Sequence, residues 1–322
     1  MVIVVNTNPA VDRISVVRFK RGHTLRPVRF KIWPGGSGVH AGHVAAELGS
    51  EVLVMGFAGG HSGAMLSDLL KSHGLQHELF LASGETRGTY SLIDIEHGNV
   101  CDIAEYGPMV SDRQVNELVA AYQRALKRAT FVIVSGSNPA GCPAELDVAA
   151  VTFAKRVGVP VLADVAGDLL GSVVKAGVWC VKPSLEELEL AEGRKLNGEE
   201  LFTLSQTWRS YGVEHVCISL GRAGVFWESE AGTYRIGVRG TRSCYNTIGS
   251  GDAFAGGFAA SYEREGVIEK AIRVGVSAAT ANLAYDEPGH CTREDVGRIL
   301  PMTFVEPVSA QALDNRLQAN RA

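Results

Sequence analysis

A polar turn runs into a stretch of small residues at Asn246-Thr247-Ile248-Gly249-Ser250-Gly251-Asp252-Ala253-Phe254-Ala255-Gly256-Gly257-Phe258. The glycines of the turn permit a tight bend and remove side chains that would block a ligand. Ala253, Gly256, Gly257 and Ala260 recur at helical spacing, so one face of the helix that follows can pack very close to a neighbour. The first N–H groups of that helix are free, and its dipole favours an anion in the turn. Asp252 sets a carboxylate beside that anion site. A carboxylate there is electrostatically out of place unless it has a task. Accepting a proton from a hydroxyl that attacks a phosphoryl group is such a task. The plainer alternative is a glycine turn whose Asp satisfies the helix dipole, and Gly249-Ser250-Gly251-Asp252 alone does not choose between them.

Other candidates lie earlier in the chain. Val2 to Val5 is a short apolar run of the buried parallel-strand kind, and it ends in the polar loop Asn6-Thr7-Asn8-Pro9-Ala10-Val11-Asp12. Ligands of open α/β sheets sit beyond the carboxyl ends of strands, so Asp12 is placed to touch one, unless it is an ordinary turn Asp. Pro34-Gly35-Gly36-Ser37-Gly38 is a second glycine turn before a helix that carries Ala41, Ala45 and Leu48 on one face and ends at Gly49. It is a second candidate for an anion or sugar site, or simply a close-packing turn. His40, in the first turn of that helix, reads as structural or exposed more readily than as catalytic.

The elements that would hold these residues follow a strand–helix alternation. Strands are expected at Glu51 to Met55, Phe131 to Val134, Val159 to Leu162, Val178 to Val181 and His215 to Ser219, with helices between them. Asn197 caps one helix, and long helices surround the Gly249 turn and continue to about Tyr285. This order predicts an α/β fold with a mostly parallel central sheet and helices on both faces. Two stretches break the pattern. Residues 13–33 alternate at period 2 like a hairpin, and 76–105 reads as short strands broken by turns. Together they suggest a small β-sheet lid over the ligand edge of the body. The polar tail from Ser309 to Ala322 is expected to be helical and to fray.

A chain of 322 residues can bury a large core in one domain or two. Its net charge of −4 gives no electrostatic reason to expect a nucleic acid or an anionic membrane as partner. No apolar run approaches the roughly 20 residues that span a bilayer. The first residues lack a basic region followed by an apolar signal segment, so a cytoplasmic location is expected. Six scattered cysteines without a Cys-x-x-Cys pair argue for buried free thiols rather than zinc.

In chain order these motifs form a set. Asn8-Pro9-Ala10-Val11-Asp12, Gly35-Gly36-Ser37-Gly38, Thr86-Arg87, Ala104-Glu105-Tyr106-Gly107-Pro108, Ser135-Gly136-Ser137-Asn138-Pro139-Ala140-Gly141, Lys182-Pro183-Ser184-Leu185-Glu186-Glu187-Leu188 and Ile218-Ser219-Leu220-Gly221 precede the Asn246 to Phe258 stretch. The chain thereby resembles the phosphofructokinase B family of carbohydrate kinases, which has the ribokinase fold. Within it the likeness is to the phosphosugar branch of 1-phosphofructokinase and tagatose-6-phosphate kinase.

The resemblance implies one catalytic domain over 1–322 with the lid strands inserted in it. It implies an ATP- and Mg2+-dependent kinase acting on a phosphorylated sugar of fructose 1-phosphate or tagatose 6-phosphate type. Asp252 would be the base, and the N–H groups of Gly249, Ser250 and Gly251 would hold the charge on the transferred phosphoryl group. Asp12 would bind sugar hydroxyls, with Gly36 to Gly38 against the sugar. Arg87 would grip the sugar's phosphate with help from Ser137. Lys182 would meet a nucleotide phosphate. Ser219, Gly221 and Gly224 would approach the nucleoside, and Asn282 the adenine. Glu187 would act on magnesium through water, or else be a solvated charge. A homodimer through the lid is implied by the same analogy.

Three positions depart from the branch. Ser37 stands where Lys is usual, His40 where Asn is usual, and Ser184 where the magnesium-associated motif has Asn. The first two touch the acceptor side. Arg26, Arg29 or Lys31 on the lid is expected to replace the missing charge. Two alternatives stay open: a kinase of an unphosphorylated sugar or nucleoside, and a noncatalytic sensor of sugar phosphate or nucleotide. A dinucleotide oxidoreductase fits poorly, because the first strand lacks a Gly-x-Gly-x-x-Gly turn into a helix.

Overall fold

The aliphatic run Val2–Val5 forms β1, buried on both faces, inside a ten-stranded sheet. The structure, a computed structural model, describes residues 1–240 and 246–321. After β1 the chain leaves for a second sheet through β2 (Ala10–Val17) and β3 (Arg29–Gly35), an antiparallel hairpin as the alternation over 13–33 predicts. It returns through α1 (Ser37–Glu47), β4 (Val52–Ala58), α2 (Gly60–Ser72) and β5 (Gln76–Leu81). Next, β6 (Arg87–Asp94) and β7 (Val100–Ala104) complete the small sheet, ordered β3-β2-β6-β7.

The span 76–105 therefore divides. β5 pairs in parallel with β4 and forms an edge of the large sheet, and β6 and β7 alone belong to the small one. The reason lies in α2. A strand that leaves a helix crossover returns most simply to the sheet it started from, parallel to its predecessor.

The remaining chain alternates: α3 (Asp112–Ala125), β8 (Phe131–Ser135), α4 (Glu145–Arg156), β9 (Val161–Asp164), α5 (Gly167–Lys175), β10 (Cys180–Val181), α6 (Leu185–Glu192), α7 (Gly198–Ser210) and β11 (His215–Ser219). Capping boxes at Ser111, Ser184 and Asn197 start α3, α6 and α7. A meander of β12 (Val225–Ser229) and β13 (Gly232–Val238) follows, then α8 (Ser250–Glu265), α9 (Ile268–Asn282), α10 (Arg293–Ile299), β14 (Thr303–Pro307) and α11 (Ala310–Arg321). The large sheet runs β14-β13-β12-β11-β10-β9-β8-β1-β4-β5. It is parallel from β11 to β5, and β12, β13 and β14 add an antiparallel edge.

Alternate residues of β1 face opposite layers, as strand geometry demands. Val2 and Val4 pack with α1, α8 and α9, and Ile3 and Val5 with α3, α4, α5 and α7. The small residues of α8 serve two neighbours rather than one face. A Cβ at Gly256 would lie 2.2 Å from the Ala41 carbonyl of α1, and one at Gly257 would lie 2.8 Å from Ala278 Cβ of α9. The tail is docked: Leu313 and Leu317 of α11 are buried, and Asp314 accepts a hydrogen bond from Gly198 N at the start of α7. Among the described residues no helix is long and apolar enough to cross a membrane.

On the small sheet, Asp12, Ile14 and Val16 face the body. Ile32, Arg13, Tyr90 and Ile103 form a row across the outer face, with Phe30, Ser15, Leu92 and Cys101 in the next. Phe30 and Ile103 are more than half exposed there.

Candidate active site

Chain order reverses about β1, which has β4 on one side and β8 on the other. Such a switch point opens a crevice beyond the carboxyl ends of the strands. Here it is a cavity of about 500 Å³. Ser37, Arg87, Ser137, Lys182, Glu187, Ser219, Gly251 and Asp252 line it, each a residue the sequence singles out. Gly136, Asp164, Val165, Ala166 and Ser184 complete the wall.

Gly249 makes the turn into α8 with φ 74°, in the left-handed region, and a Cβ there would lie 2.2 Å from Gly289 N. Both facts demand glycine. Ser250 N donates back to the Thr247 carbonyl (3.2 Å) and Ala253 N to Gly249 O (2.8 Å). Ser250 N is therefore already spent, and the Gly251 and Asp252 N–H groups are the first-turn donors left for an anion. Lys182 stands over the same turn: a Cβ on Gly251 would lie 3.3 Å from its Nζ. The ammonium donates to Asp164 Oδ1 at 2.9 Å. Burial alone would lower the proton affinity of Lys182, and Asp164, with Glu187 and Asp252 behind it, more than offsets this, so the lysine is held above its ordinary range while burial pushes Asp164 up to about 7.

The expected adenine contact, Asn282, does other work. It is fully buried, and its Nδ2 donates to Ile248 O (2.8 Å) and Ser250 Oγ (3.2 Å) while its Oδ1 accepts from His290 N (3.0 Å). Its polar atoms are thus committed to bracing the turn. Asn246 braces it from the other end, donating to Tyr285 O and Asp286 O and accepting from Ile248 N.

Asp12 is not among the residues that line the cavity. It is 2% exposed, and its Oδ2 lies 2.9 Å from His40 Nε2. Its Oδ1 is buried without a partner, pressed so close to Gly35 that a Cβ there would lie 2.0 Å away. The other ring nitrogen of His40, Nδ1, lies 2.8 Å from Asp252 Oδ2. Of these three side chains, Asp252 reaches the cavity wall. Burial would strip a proton from His40, but hydrogen bonds to Asp12 and Asp252 overcome that and push it up to about 10.

In the Gly36–Gly38 turn, Ser37 reaches the cavity and the glycines do not. They let α1 sit on Asn6, whose Oδ1 accepts from Val39 N (3.2 Å). Arg87 is anchored by Nε to the Asn8 carbonyl (3.0 Å), and Asn8 Nδ2 donates to Ser137 Oγ (3.3 Å). Ser219 lines the cavity; Gly221 opens the short 3-10 turn after β11. Gly224 instead admits β13, since a Cβ there would lie 2.2 Å from Ile236 O. Glu187 accepts from Ser184 N (2.8 Å) and Ser184 Oγ from Glu187 N (3.1 Å), so the serine in the Asn position caps α6.

Two of the three lid cations expected to replace the missing lysine are paired elsewhere. Arg29 Nε bonds Asp286 Oδ2 at 2.7 Å, and Lys31 bonds Glu287. Arg26 lies exposed in the loop before β3. Beside them Trp33 packs edge-on against the rings of His43, His73 and His290.

Residues 4–295 match the pfkB family carbohydrate kinase profile. The chain belongs to the pfkB family of carbohydrate kinases. It is 28% identical over 265 residues to the 1-phosphofructokinase of Haemophilus influenzae, covering 82% of this chain and 84% of that one. A Thermotoga maritima structure described as a possible 1-phosphofructokinase superposes with a TM-score of 0.88 at 24% identity, over 96% of this chain and 100% of that one. Escherichia coli phosphofructokinase-2 in complex with fructose-6-phosphate gives 0.81 at 20% identity, over 93% and 98%. The structural likenesses carry the fold, which is ribokinase-like.

Sequence reasoning on this pfkB chain missed Asp164, Asn6, Asp286 and Glu287. Asp164 ends a predicted strand, which was a usable signal. Asn6 looked like one loop residue among several. Asp286 and Glu287 act on residues more than 250 positions away, at Arg29 and Lys31, and no local pattern announces that.

Proposed function

We propose that this pfkB kinase transfers the γ-phosphate of ATP to a hydroxyl of a phosphorylated sugar, of fructose 1-phosphate or tagatose 6-phosphate type. The observation that carries the reading is the Asp252 carboxylate at the cavity wall beside the free first-turn N–H groups of α8 and the Lys182 ammonium. Asp252 Oδ2 is engaged by His40, which leaves Oδ1 for the hydroxyl proton. The Gly251 and Asp252 amides are preorganised for charge on the transferred phosphoryl oxygens, and Lys182 adds a fixed positive charge beside them. Arg87, held by Asn8, is the one guanidinium among the described residues of the wall and suits a phosphate already on the acceptor.

Among the described residues no group of three or more acidic, His or Cys side chains gathers for a metal. Mg2+ needs few protein ligands when it keeps water and nucleotide phosphates, and the carboxylates of Asp164 and Glu187 share the cavity, so the donor set fits. Those two residues would hold the ion, directly or through water. It would neutralise phosphate charge.

Ser37 and the pairing of Arg29 and Lys31 favour a second reading, in which the acceptor carries no phosphate. A coupled ADP-release assay over fructose 1-phosphate, tagatose 6-phosphate, free sugars and nucleosides tests both. Asp252→Asn is expected to keep the fold and lower kcat by roughly 10²–10⁴. Near-normal turnover in that variant would remove the base assignment. The exposed apolar rows of the lid support a homodimer through that face.

A further inference from the structure

His40 is caught between two carboxylates. Its ring nitrogens stand 2.9 Å from Asp12 Oδ2 and 2.8 Å from Asp252 Oδ2. An ionised carboxylate only accepts, so each nitrogen must donate; a neutral ring would set a lone pair against one of the oxygens. The ring cannot easily leave. A Cβ on Gly289 would lie 2.3 Å from His40 Cβ, so the 285–290 loop presses on its backbone. That loop is itself tied to the anion turn through Asn246 and Asn282. Asp12 bonds the ring through one oxygen and keeps the other buried without a partner beside Gly35.

We propose that His40 is a positioning residue: its doubly protonated ring, held on its far side by Asp12, fixes the Asp252 carboxylate for proton acceptance. The proposal rests on the reading of Asp252 as base. The charged groups around the ring are Asp12 from β2 and Asp252 from α8, with Asp102 of β7 and Arg87 of β6 farther off.

The test combines kinetics with nitrogen NMR. His40→Asn and Asp12→Ala are each expected to lower kcat by roughly 10- to 100-fold, since small misplacements of a reacting group cost that much. In His40→Asn the acceptor KM should stay within about threefold, and the double variant should be no slower than His40→Asn alone, as members of one unit behave. In 15N-histidine-labelled protein at pH 8.5, one histidine should carry protons on both ring nitrogens, and His40→Asn should remove that signal. His40→Asn with kcat kept, kcat losses that multiply in the double variant, or no doubly protonated ring at pH 8.5 would each overturn the proposal. Should His40→Asn fail to fold, the wild-type spectrum and Asp12→Ala still decide. An active Asp252→Asn protein that keeps the NMR signal would refute the base reading and leave the Asp12–His40–Asp252 unit standing.

Discussion

The proton on His40 is part of the folding free energy, and its size can be worked out. In the folded chain the imidazole is held from 6.5 up to about 10. At about 1.4 kcal/mol per tenfold change in proton affinity, the ceiling of the contribution is about 5 kcal/mol. The sign follows from a raised value. The stabilisation is fully present below pH 6.5 and is lost as pH climbs through about 10. Between pH 7 and pH 9 the loss amounts to roughly half of that ceiling. His40→Asn has no such proton and removes this slope. Urea unfolding of wild type and variant at pH 7, 8 and 9 reads the difference, in which titrations elsewhere in the chain cancel. The gap should be widest at pH 7 and shrink toward pH 9. If the two proteins instead change in parallel across that range, the ring is not an imidazolium and the reasoning fails.

Three further outcomes follow from the same geometry. Gly249→Ala must place a side chain at φ 74° and 2.2 Å from Gly289 N, so it should cost about 2 kcal/mol or more and abolish ADP release, read by thermal unfolding and the coupled assay. Lys31→Glu breaks the lid's tie to Glu287 and should raise the acceptor KM, and adding Glu287→Lys should restore it; an unchanged KM in the single variant would show that the tie is idle. Phe30→Glu with Ile103→Glu places charge on the outer face of the lid, and sedimentation should then report monomers in place of the dimer proposed for the unaltered chain.

Much of the architecture was legible because its signals are local. The β-branched run at Val2–Val5, the Asn197 cap and the Gly249 turn each declare themselves within a few residues. The antiparallel edge of β12, β13 and β14 did not, since β14 arrives after three intervening helices and pairs only through tertiary context. Residues 76–81 were misplaced for the same reason: their short-strand pattern is real, but the sheet they join is decided by α2. At the site, the resemblance pointed to Arg87, Lys182 and Ser219 and the glycine turn to Asp252, and all four line one cavity. Asn282 was read by position in a motif, and burial then committed its polar atoms to internal partners, while Asp12 gave one oxygen to His40 and kept the other unpartnered. His40 was the reverse case. A lone histidine in a helix's first turn looks ordinary until the fold brings two acids to its ring.

The short segment from Tyr285 to His290 has an outsized reach. Its acids hold the hairpin of the small sheet, its glycine bears on the helix that carries the bridging imidazole, and its last amide is held by the asparagine that braces the phosphoryl turn. Those six residues work as a common hinge pin. Any attempt to re-tailor this enzyme for another acceptor by exchanging the hairpin will also disturb the Asp252 end of the pocket, unless the pin and its two acidic clasps are carried along unchanged.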